Sequence, residues 1–529
     1  MSEQNIMSEG STRTKGSDAI INNINSISAL AEIIKTTLGP YGMDKMLIDS
    51  VGETLITNDG VQILKSMDIE HPAAQLIVEV AKNQDQVVGD GTTSCILLIS
   101  QMLQEAKQLY LKGIHPNIIV QGFTQGLRFA LEKLPKHSID ISSDKKKYLN
   151  NIIQTAMRGK SSEKESPYLS QLLIDTIEKQ NYSTTISKKT LKRVKLVGPS
   201  ITSSQVVSGV VFDKKRILPT MPKNLINPNI LIISCPIEVQ EIENSHQIQI
   251  SNYQEYEKFI TSEKQFLHSV AQKIIDLNVK AVFCQKGVDD SVVSYLASKG
   301  VLVLRRCRKS DIEALANASN APIISTLDEI TINNISSIEQ INTIEFDKEE
   351  LISCHITSTE YMSVIVCGST QHIVDEIERA IEDATGDISN VLQSSKIVGG
   401  GGSVMMAIYL DLLEYSKTKT GREQLIIEHL AESFLIIPKT LLINSGRDEI
   451  EHLAQLKSKF NNHNKVNPFS GIDCYEGVIE NVIERGIIEP IGVSEQILKN
   501  AQEAITMLLR IDDIIAAKKI SKEELNTNL

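Results

Sequence analysis

Gly89-Asp90-Gly91-Thr92-Thr93-Ser94 sets two glycines around one carboxylate, with three hydroxyls next and a strongly apolar segment directly behind. Glycines let the backbone turn sharply and come close to a ligand. The hydroxyls suit the N-cap of the helix that the apolar segment predicts. A helix start, with free N–H groups and the positive end of the dipole, favours a phosphate. A single carboxylate in a phosphate cradle makes sense when a Mg²⁺ ion lies between them, because that ion takes one or two carboxylates plus phosphate oxygens. Taken alone, the stretch reads equally as an ordinary loop capped by Thr92 or Thr93. The rest of the chain has to decide.

The totals narrow the choice. A chain of 529 residues exceeds one compact core, and the length predicts about three or four domains. Apolar residues at 41% and charged residues at 23% fit a globular protein. A net charge of -12 argues against a general nucleic-acid binder. With no Trp and 4% aromatics, stacking platforms for single strands are not expected. The cysteines stand singly at 95, 235, 284, 307, 354, 367 and 474, without C-x-x-C. An odd, dispersed set reads as reduced thiols in a cytoplasmic protein, not as a disulfide frame or zinc site. No apolar run approaches a membrane span, and Met1 to Asp18 lacks a signal-type apolar core.

Along the chain, residues 1–17 read as a disordered tail. Ile21, Ile24, Ile27, Leu30, Ile33 and Ile34 mark a helix that stops at Leu38-Gly39-Pro40-Tyr41-Gly42. Lys45 to Asp49 and Thr54 to Thr57 read as two strands joined by Ser50-Val51-Gly52-Glu53, with Asn58-Asp59-Gly60 closing the second. Helices are expected at about 72–85, 93–111 and 117–134, with a break at Gly113 to Pro116. From about 200, short β runs alternate with helices: 206–212, 230–233, 253–277, 281–283, 289–299, 301–304, 309–319 and 323–324. That is an α/β pattern with parallel strands. A strand at 363–366 and a helix at 371–385 lead into long helices from 386 to 515, broken by Gly399 to Gly402. The helix at 422–436, apolar on most sides, is expected to be central and buried.

Three carboxylates sit at Gly-rich or element-ending positions. Asp90 lies in the opening stretch, Asp59 precedes Gly60, and Asp383 closes the helix that begins at Asp375. Phosphoryl transfer to water needs a metal and a group that orients the water, and one carboxylate for Mg²⁺ with two for the water suffices. Asp59 reads equally as a turn residue and Asp383 as a solvated helix residue. The chain contains no G-x-x-x-x-G-K-[ST], H-E-x-x-H or G-x-S-x-G, and its glycine run does not fit G-x-G-x-x-G.

Thr37 to Met46 (TLGPYGMDKM), Thr57 to Gly60 and Gly89 to Ser94 follow one another at the spacing of group II chaperonins, the family of the archaeal thermosome and the eukaryotic cytosolic chaperonin TRiC/CCT. The resemblance continues through Gly209 to Lys214, Met221-Pro222-Lys223, Gly400 to Gly402, Ile436-Ile437-Pro438, Ile488-Glu489-Pro490 and Leu509 to Asp513, covering about residues 18–517. Among the paralogous lines it is most similar to alpha, then eta, on Glu70 to Ala74, Gly287 to Asp290, Arg305-Arg306, Ile323 to Leu327 and Arg422 to Leu425.

The resemblance implies an α/β multidomain chaperonin fold. It has a mostly helical equatorial domain (18–141 and 391–519), a mixed intermediate domain (142–200 and 356–390) and an α/β apical substrate-binding domain (201–355), with tails at 1–17 and 520–529. About Pro236 to Ser262 falls where the family carries its helical protrusion, with Tyr253, Tyr256, Phe259 and Ile260 on one helical face. The implied activity is ATP hydrolysis with Mg²⁺, driving lid closure over unfolded clients of actin and tubulin type. The implied partners are paralogous subunits in two stacked eight-membered rings, with no nucleic acid and no membrane. Residue by residue, Leu38, Gly39, Pro40, Gly42, Gly60 and Gly89 line the nucleotide in the family. Asp90 binds Mg²⁺, and Gly91, Thr92, Thr93 and Ser94 meet the phosphates. Asp59 and Asp383 orient the attacking water, Lys160 reports the γ-phosphate, Gly401 and Gly402 contact nucleotide by backbone, and Glu489 reaches the ribose.

Departures stand out. The family's T-S-L-x-S-K is Thr155-Ala156-Met157-Arg158-Gly159-Lys160 here, Gly399 replaces Pro, Met405 replaces Glu, and Ala384-Thr385-Gly386-Asp387 is unusual. Two other readings stay open: a chaperonin-like scaffold that assembles without turnover, and an unrelated soluble phosphotransferase.

Overall fold

The computed structural model describes residues 12–48, 52, 54–142, 144–160, 163–179, 190–238, 253–346, 349–357, 361–461 and 469–516. The chain starts with β1 (Thr12–Lys15), α1 (Ser17–Lys35), β2 (Lys45–Ile48), β3 (Thr54–Thr57), α2 (Gly60–Ser66), α3 (Pro72–Val87), α4 (Thr92–Leu111), α5 (Pro116–Lys133), β4 (Ser138–Asp140), α6 (Lys145–Met157) and α7 (Ser166–Lys179). The middle holds β5 (Leu191–Val197), β6 (Gln205–Phe212), β7 (Asn224–Ile226), β8 (Asn229–Ile233), α8 (Tyr253–Asp276), β9 (Ala281–Cys284), α9 (Asp290–Ser298), β10 (Leu302–Leu304), α10 (Lys309–Ser319), β11 (Ile323–Ile324), β12 (Ser336–Ser337), β13 (Gln340–Phe346), β14 (Glu349–His355) and β15 (Met362–Gly368). It closes with α11 (Gln371–Ser394), β16 (Lys396–Gly399), α12 (Ser403–Ser416), α13 (Arg422–Ser433), α14 (Ile436–Asn444), α15 (Glu449–Asn461), β17 (Ser470–Asp473), β18 (Val478–Asn481), β19 (Ile488–Pro490), α16 (Ile491–Leu508) and β20 (Asp513–Ala516).

Two compact units result: Met1–Ser170 with Glu382–Leu529, and Gln171–Ile381. The first is a helical body around α4. Cys95, Ile96, Leu97, Leu98 and Ile99 of α4 are consecutive and all buried, so this helix has no solvent face there. The expected central helix at 422–436 breaks after Ser433 into α13 and α14, and Arg422 and Glu423 at the start of α13 are exposed. Two helix starts repeat one device. His71 and His115 each precede a proline at the first helical position, and each Nδ1 accepts a backbone N–H, from Ala73 at 3.3 Å and Asn117 at 3.2 Å. Proline there loses only an N–H that the helix would not use. The sequence break at Gly113 to Pro116 is therefore the start of α5.

Residues 12–15, expected within a disordered tail, form β1 instead. It pairs antiparallel with β20, Thr12 opposite Ala516 and Lys15 opposite Asp513. The Arg13 guanidinium donates to the Asp513 carboxylate from Nε at 2.8 Å and also from Nη2. The partner lies at the far end of the chain, so no local pattern announces it. Residues 1–11 and 520–529 lie outside the described residues, as do 49, expected to end the first strand, and 50, 51 and 53 of the expected hairpin turn; β2 and β3 pair as expected. A three-stranded sheet, β19-β16-β4, joins three remote segments and delivers Gly399 to the glycine run.

In the second unit, β10-β9-β8-β11 run parallel, as the alternating pattern predicts. Beside it stands a six-stranded sheet, β5-β15-β6-β14-β13-β7. Ile230 to Ile233 and Ala281 to Cys284 are fully buried, the continuous apolar run of a sheet covered on both faces. Phe212 and Phe283 meet at 5.0 Å between ring centroids. The stretch 239–252 and the side chains of Tyr253, Tyr256, Phe259 and Ile260 lie outside the described residues.

Phe123 of α5 is fully buried in the first unit. Phe123→Ala is expected to lower stability by about 3–5 kcal/mol, read as a lower urea-unfolding midpoint. A change like that of a surface substitution would contradict this placement.

Candidate functional site

One cavity of the first unit collects residues from both ends of the chain: Leu38, Gly39 and Pro40 after α1, Asp59 and Gly60 at α2, Asp90 to Ser94 at α4, Lys160 after α6, Asp383 and Asp387 of α11, Gly401 and Gly402 before α12, and Glu489 of β19. Each sits where an element begins or ends, or on one helix face.

Asp59 caps α2, its Oδ1 accepting from the Val61 N–H at 2.9 Å. Its own N–H donates to Thr57 Oγ1 at 3.1 Å. A Cβ on Gly60 would stand 2.8 Å from Thr93 Oγ1, so a side chain here would displace that hydroxyl where α2 meets the first turn of α4. The cap of α4 is neither Thr92 nor Thr93. It is Gly91, at φ 76, with no side-chain cap, and the hydroxyls belong to the first turn. Asp90 Oδ1 accepts from the Gly91 N–H at 2.6 Å, and Gln84 Nε2 donates to the Asp90 carbonyl at 2.9 Å. α12 starts the same way, on Gly402 at φ 74 without a side-chain cap. Left-handed glycine replaces the capping side chain at both starts, which leaves the positive ends of two long helices available to an anion.

α11 supplies Asp383 and Asp387 to the lining. It continues to Ser394, so Asp383 is an interior residue and not the helix end that the sequence suggests. Gly386 is the reason the helix passes. A Cβ there would stand 2.7 Å from the Val88 carbonyl oxygen and 3.1 Å from Gly89 Cα. Asn390, one turn on, donates from Nδ2 to the same Val88 carbonyl at 2.9 Å. The Gly that looks like a helix breaker is a packing contact that fixes α11 to the backbone just before Asp90.

Lys160 Nζ donates to Asp383 Oδ2 at 2.5 Å. Gly159 brings this lysine in: a Cβ there would stand 2.9 Å from the Gly39 carbonyl oxygen, and Asn58 Nδ2 holds the Gly159 carbonyl at 3.0 Å. Burial opposes the charge of Lys160, but Asp383, Asp90 and Asp59 outweigh it and raise its pKa. Burial first, then Asp59 and Asp90, push Asp383 up to about 7 against the pull of Lys160. Glu489 is also pushed up to about 7, by burial and then by Asp90.

Negative charge therefore exceeds positive in the cavity, and a polyphosphate entering alone would be repelled. Among the described residues no three His, Cys, Asp or Glu side chains converge to hold a metal ion. A divalent cation fits here only when oxygens of a bound group complete its shell, which is how Mg²⁺ meets phosphates. Gly42 and Gly89, expected at the ligand, do not line the cavity. The Gly42 N–H closes a turn on the Gly39 carbonyl at 2.8 Å, and Gly89, at φ 82, turns the chain between Val88 and Asp90. Asp387, Arg158 and Tyr475 line it and were not singled out as site residues. Asp387 had a visible signal, four residues from Asp383 and so on the same helix face. Tyr475 pairs with Tyr41 at 5.6 Å between centroids, a contact with no local signature.

The model of the TCP-1/cpn60 chaperonin family matches residues 30–519. The chain belongs to that family. The thermosome subunit of Methanopyrus kandleri is 39% identical over 522 residues, 98% of this chain and 95% of that one. The thermosome subunit alpha of Archaeoglobus fulgidus is 38% identical over 524 residues, 98% and 96% of the two chains. The beta subunit of Methanothermobacter thermautotrophicus is 39% identical over 520 residues, 98% and 96%. These relatives place the chain among the group II chaperonins, with the multidomain α/β fold of that group and a general chaperone function. Among the described residues no helix is long and apolar enough to cross a membrane.

Two outcomes follow for this chaperonin chain. Glu489 is raised from its ordinary 4.5 to about 7, so its contribution to the stability of the nucleotide-free fold is complete below about pH 4.5 and is lost as pH rises through 7. Glu489→Gln should melt progressively higher than the parent as pH rises across that window in differential scanning fluorimetry; a constant difference from pH 5 to 8 would contradict it. Gly386→Ala should speed amide exchange at 88–94 with far less change elsewhere, because its methyl group displaces Val88. Unchanged exchange there would remove the packing role.

Proposed function

We propose that the chain is an ATP-hydrolysing subunit of a group II chaperonin, with Mg²⁺ as its metal. The observation that carries this is the cavity itself. Two helix starts without capping side chains, one buried lysine and a surplus of carboxylates suit a metal-bound polyphosphate and little else.

Gly91 to Ser94 at α4, with Gly401 and Gly402 at α12, receive the phosphates through backbone N–H groups and hydroxyls. Leu38, Gly39, Pro40 and Gly60 wall the nucleotide, and Glu489 takes the ribose. Asp90 holds the cation, which neutralises charge on the phosphates when bound. Asp59 and Asp383 accept hydrogen bonds from the attacking water and set it in line with the γ-phosphorus, where its oxygen displaces ADP. Lys160, on Asp383 without nucleotide, exchanges that partner for the γ-phosphate. Lys160 precedes the first crossing between the compact units, at Ser170, and Asp383 follows the second, at Ile381. This supports a reading in which nucleotide state acts on intermediate segments 142–200 and 356–390 and, through them, on the apical segment 201–355.

The assembly that accords with the relatives' subunit names is a hetero-oligomeric double ring of paralogous subunits, eight to a ring, enclosing unfolded clients in the cytoplasm. The motifs at 70–74, 287–290 and 422–425 favour the alpha line of the eukaryotic cytosolic chaperonin, with actin- and tubulin-type clients. Eta is the next line.

Asp383→Ala in the assembled complex is expected to cut ATP hydrolysis by about 10²–10⁴-fold with ADP affinity changed only severalfold. An unchanged rate would favour the second reading, a scaffold that assembles without turnover. Electron micrographs of the native complex should show stacked rings; a monomer would count against both.

A further inference from the structure

α11 carries a carboxylate that the reaction above does not use. Asp387 stands one turn after Asp383 and faces the same cavity. It is 2% exposed, and its Oδ1 has no hydrogen-bond partner among the described residues. Its neighbour on that face differs, since Asp383 receives the Lys160 ammonium. Burying a carboxylate oxygen without a hydrogen-bond partner costs free energy. Burial, then the charges of Asp90, Asp383 and Glu489, raise its pKa well above the ordinary range, with Lys160 opposing. A group whose charged neighbours are mainly carboxylates is suited to a cation.

The backbone fixes where that cation meets it. Asn390 and Gly386 lock this turn of α11 onto Val88, directly before Gly89 and Asp90. The turn of α11 that carries Asp387 is thus held against the backbone that leads into Asp90 by one close main-chain approach, at Gly386, and one side-chain hydrogen bond, from Asn390. Two carboxylates with phosphate oxygens and water make an ordinary shell for a hard divalent ion.

We propose that Asp387 is a second carboxylate for that divalent cation, acting beside Asp90. The inference rests on the nucleotide reading given above. Its consequence is a chain that retains the cation after the γ-phosphate has left, because two protein carboxylates still hold it beside ADP.

The test uses the purified full-length chain with ADP and Mn²⁺, following free Mn²⁺ by electron paramagnetic resonance. Loss of even an outer partner of a metal ligand costs about 10–100-fold in affinity, so Asp387→Asn should weaken Mn²⁺ binding at least about 10-fold. Asp387→Val should weaken it equally and also raise the melting temperature of the nucleotide-free chain, which separates metal loss from misfolding. ADP affinity in EDTA should be no weaker in either variant. Wild-type Mn²⁺ affinity in both variants would overturn the proposal and leave the nucleotide reading standing. If the parent chain holds no Mn²⁺ with ADP, or if Asp90→Asn leaves Mn²⁺ binding unchanged, the nucleotide reading itself fails.

Discussion

An unbalanced charge organises the first unit of this protein. Asp59, Asp90, Asp383, Asp387 and Glu489 share one cavity, and Lys160 is ion-paired with Asp383 inside it. Desolvation penalises the charge of Asp383, Asp387 and Glu489, and repulsion from Asp90 adds to the penalty. Asp383 and Glu489 respond by shifting toward neutrality. The arrangement is poised to gain from a cation, and two helix starts beside it are poised to gain from an anion. A metal-bound polyphosphate satisfies both needs in one event.

That cavity exists only because distant segments fold together. Its floor comes from the chain's first hundred residues, and its other walls come from α11, the 399–402 turn and β19. The β16 strand sits between β4 and β19, so the turn that starts α12 is positioned by a sheet drawn from three places. Asn444 adds a tie of the same kind, donating to the carbonyls of Lys35 at 3.0 Å and Leu38 at 2.8 Å. The strand pair β1 and β20 joins the two ends of the described chain. The Lys160–Asp383 bond links the two segments that lead out of this unit, one before the first crossing and one after the second. A ligand that takes Lys160 away from Asp383 unties them.

Much of this was legible in the sequence, and the limits have physical causes. Helices with strong periodicity were placed within a few residues, as at Ser17–Lys35 and Thr92–Leu111, because burial of one face dominates local preference. The parallel strands of the second unit were visible as buried apolar runs. Elements that depend on a remote partner were not: β1 has no apolar pattern of its own and exists because β20 offers it an edge. Local chemistry also misled. Gly386 argues for a helix end, yet tertiary packing against Val88 uses it inside a helix. Thr92 and Thr93 look like caps, yet Gly91 in the left-handed region takes that place. The cavity-lining residues that belong to an obvious motif, Asp90 to Ser94 among them, are legible from the motif itself. Asp387 was seen only as an oddity of the run after Asp383, although helical spacing alone puts it on the same face. Tyr475 was missed because only the folded chain brings it to Tyr41.

The central claim is that this cavity holds a nucleotide through the two glycine-started helices with a cation on Asp90. The most direct measurement is a high-resolution density map of the full-length chain with ADP and Mg²⁺. Phosphate density against the backbone N–H groups of 91–94, with the metal beside the Asp90 carboxylate, is the result predicted. Nucleotide density elsewhere in the molecule, or phosphates in this cavity away from both helix starts, would contradict it.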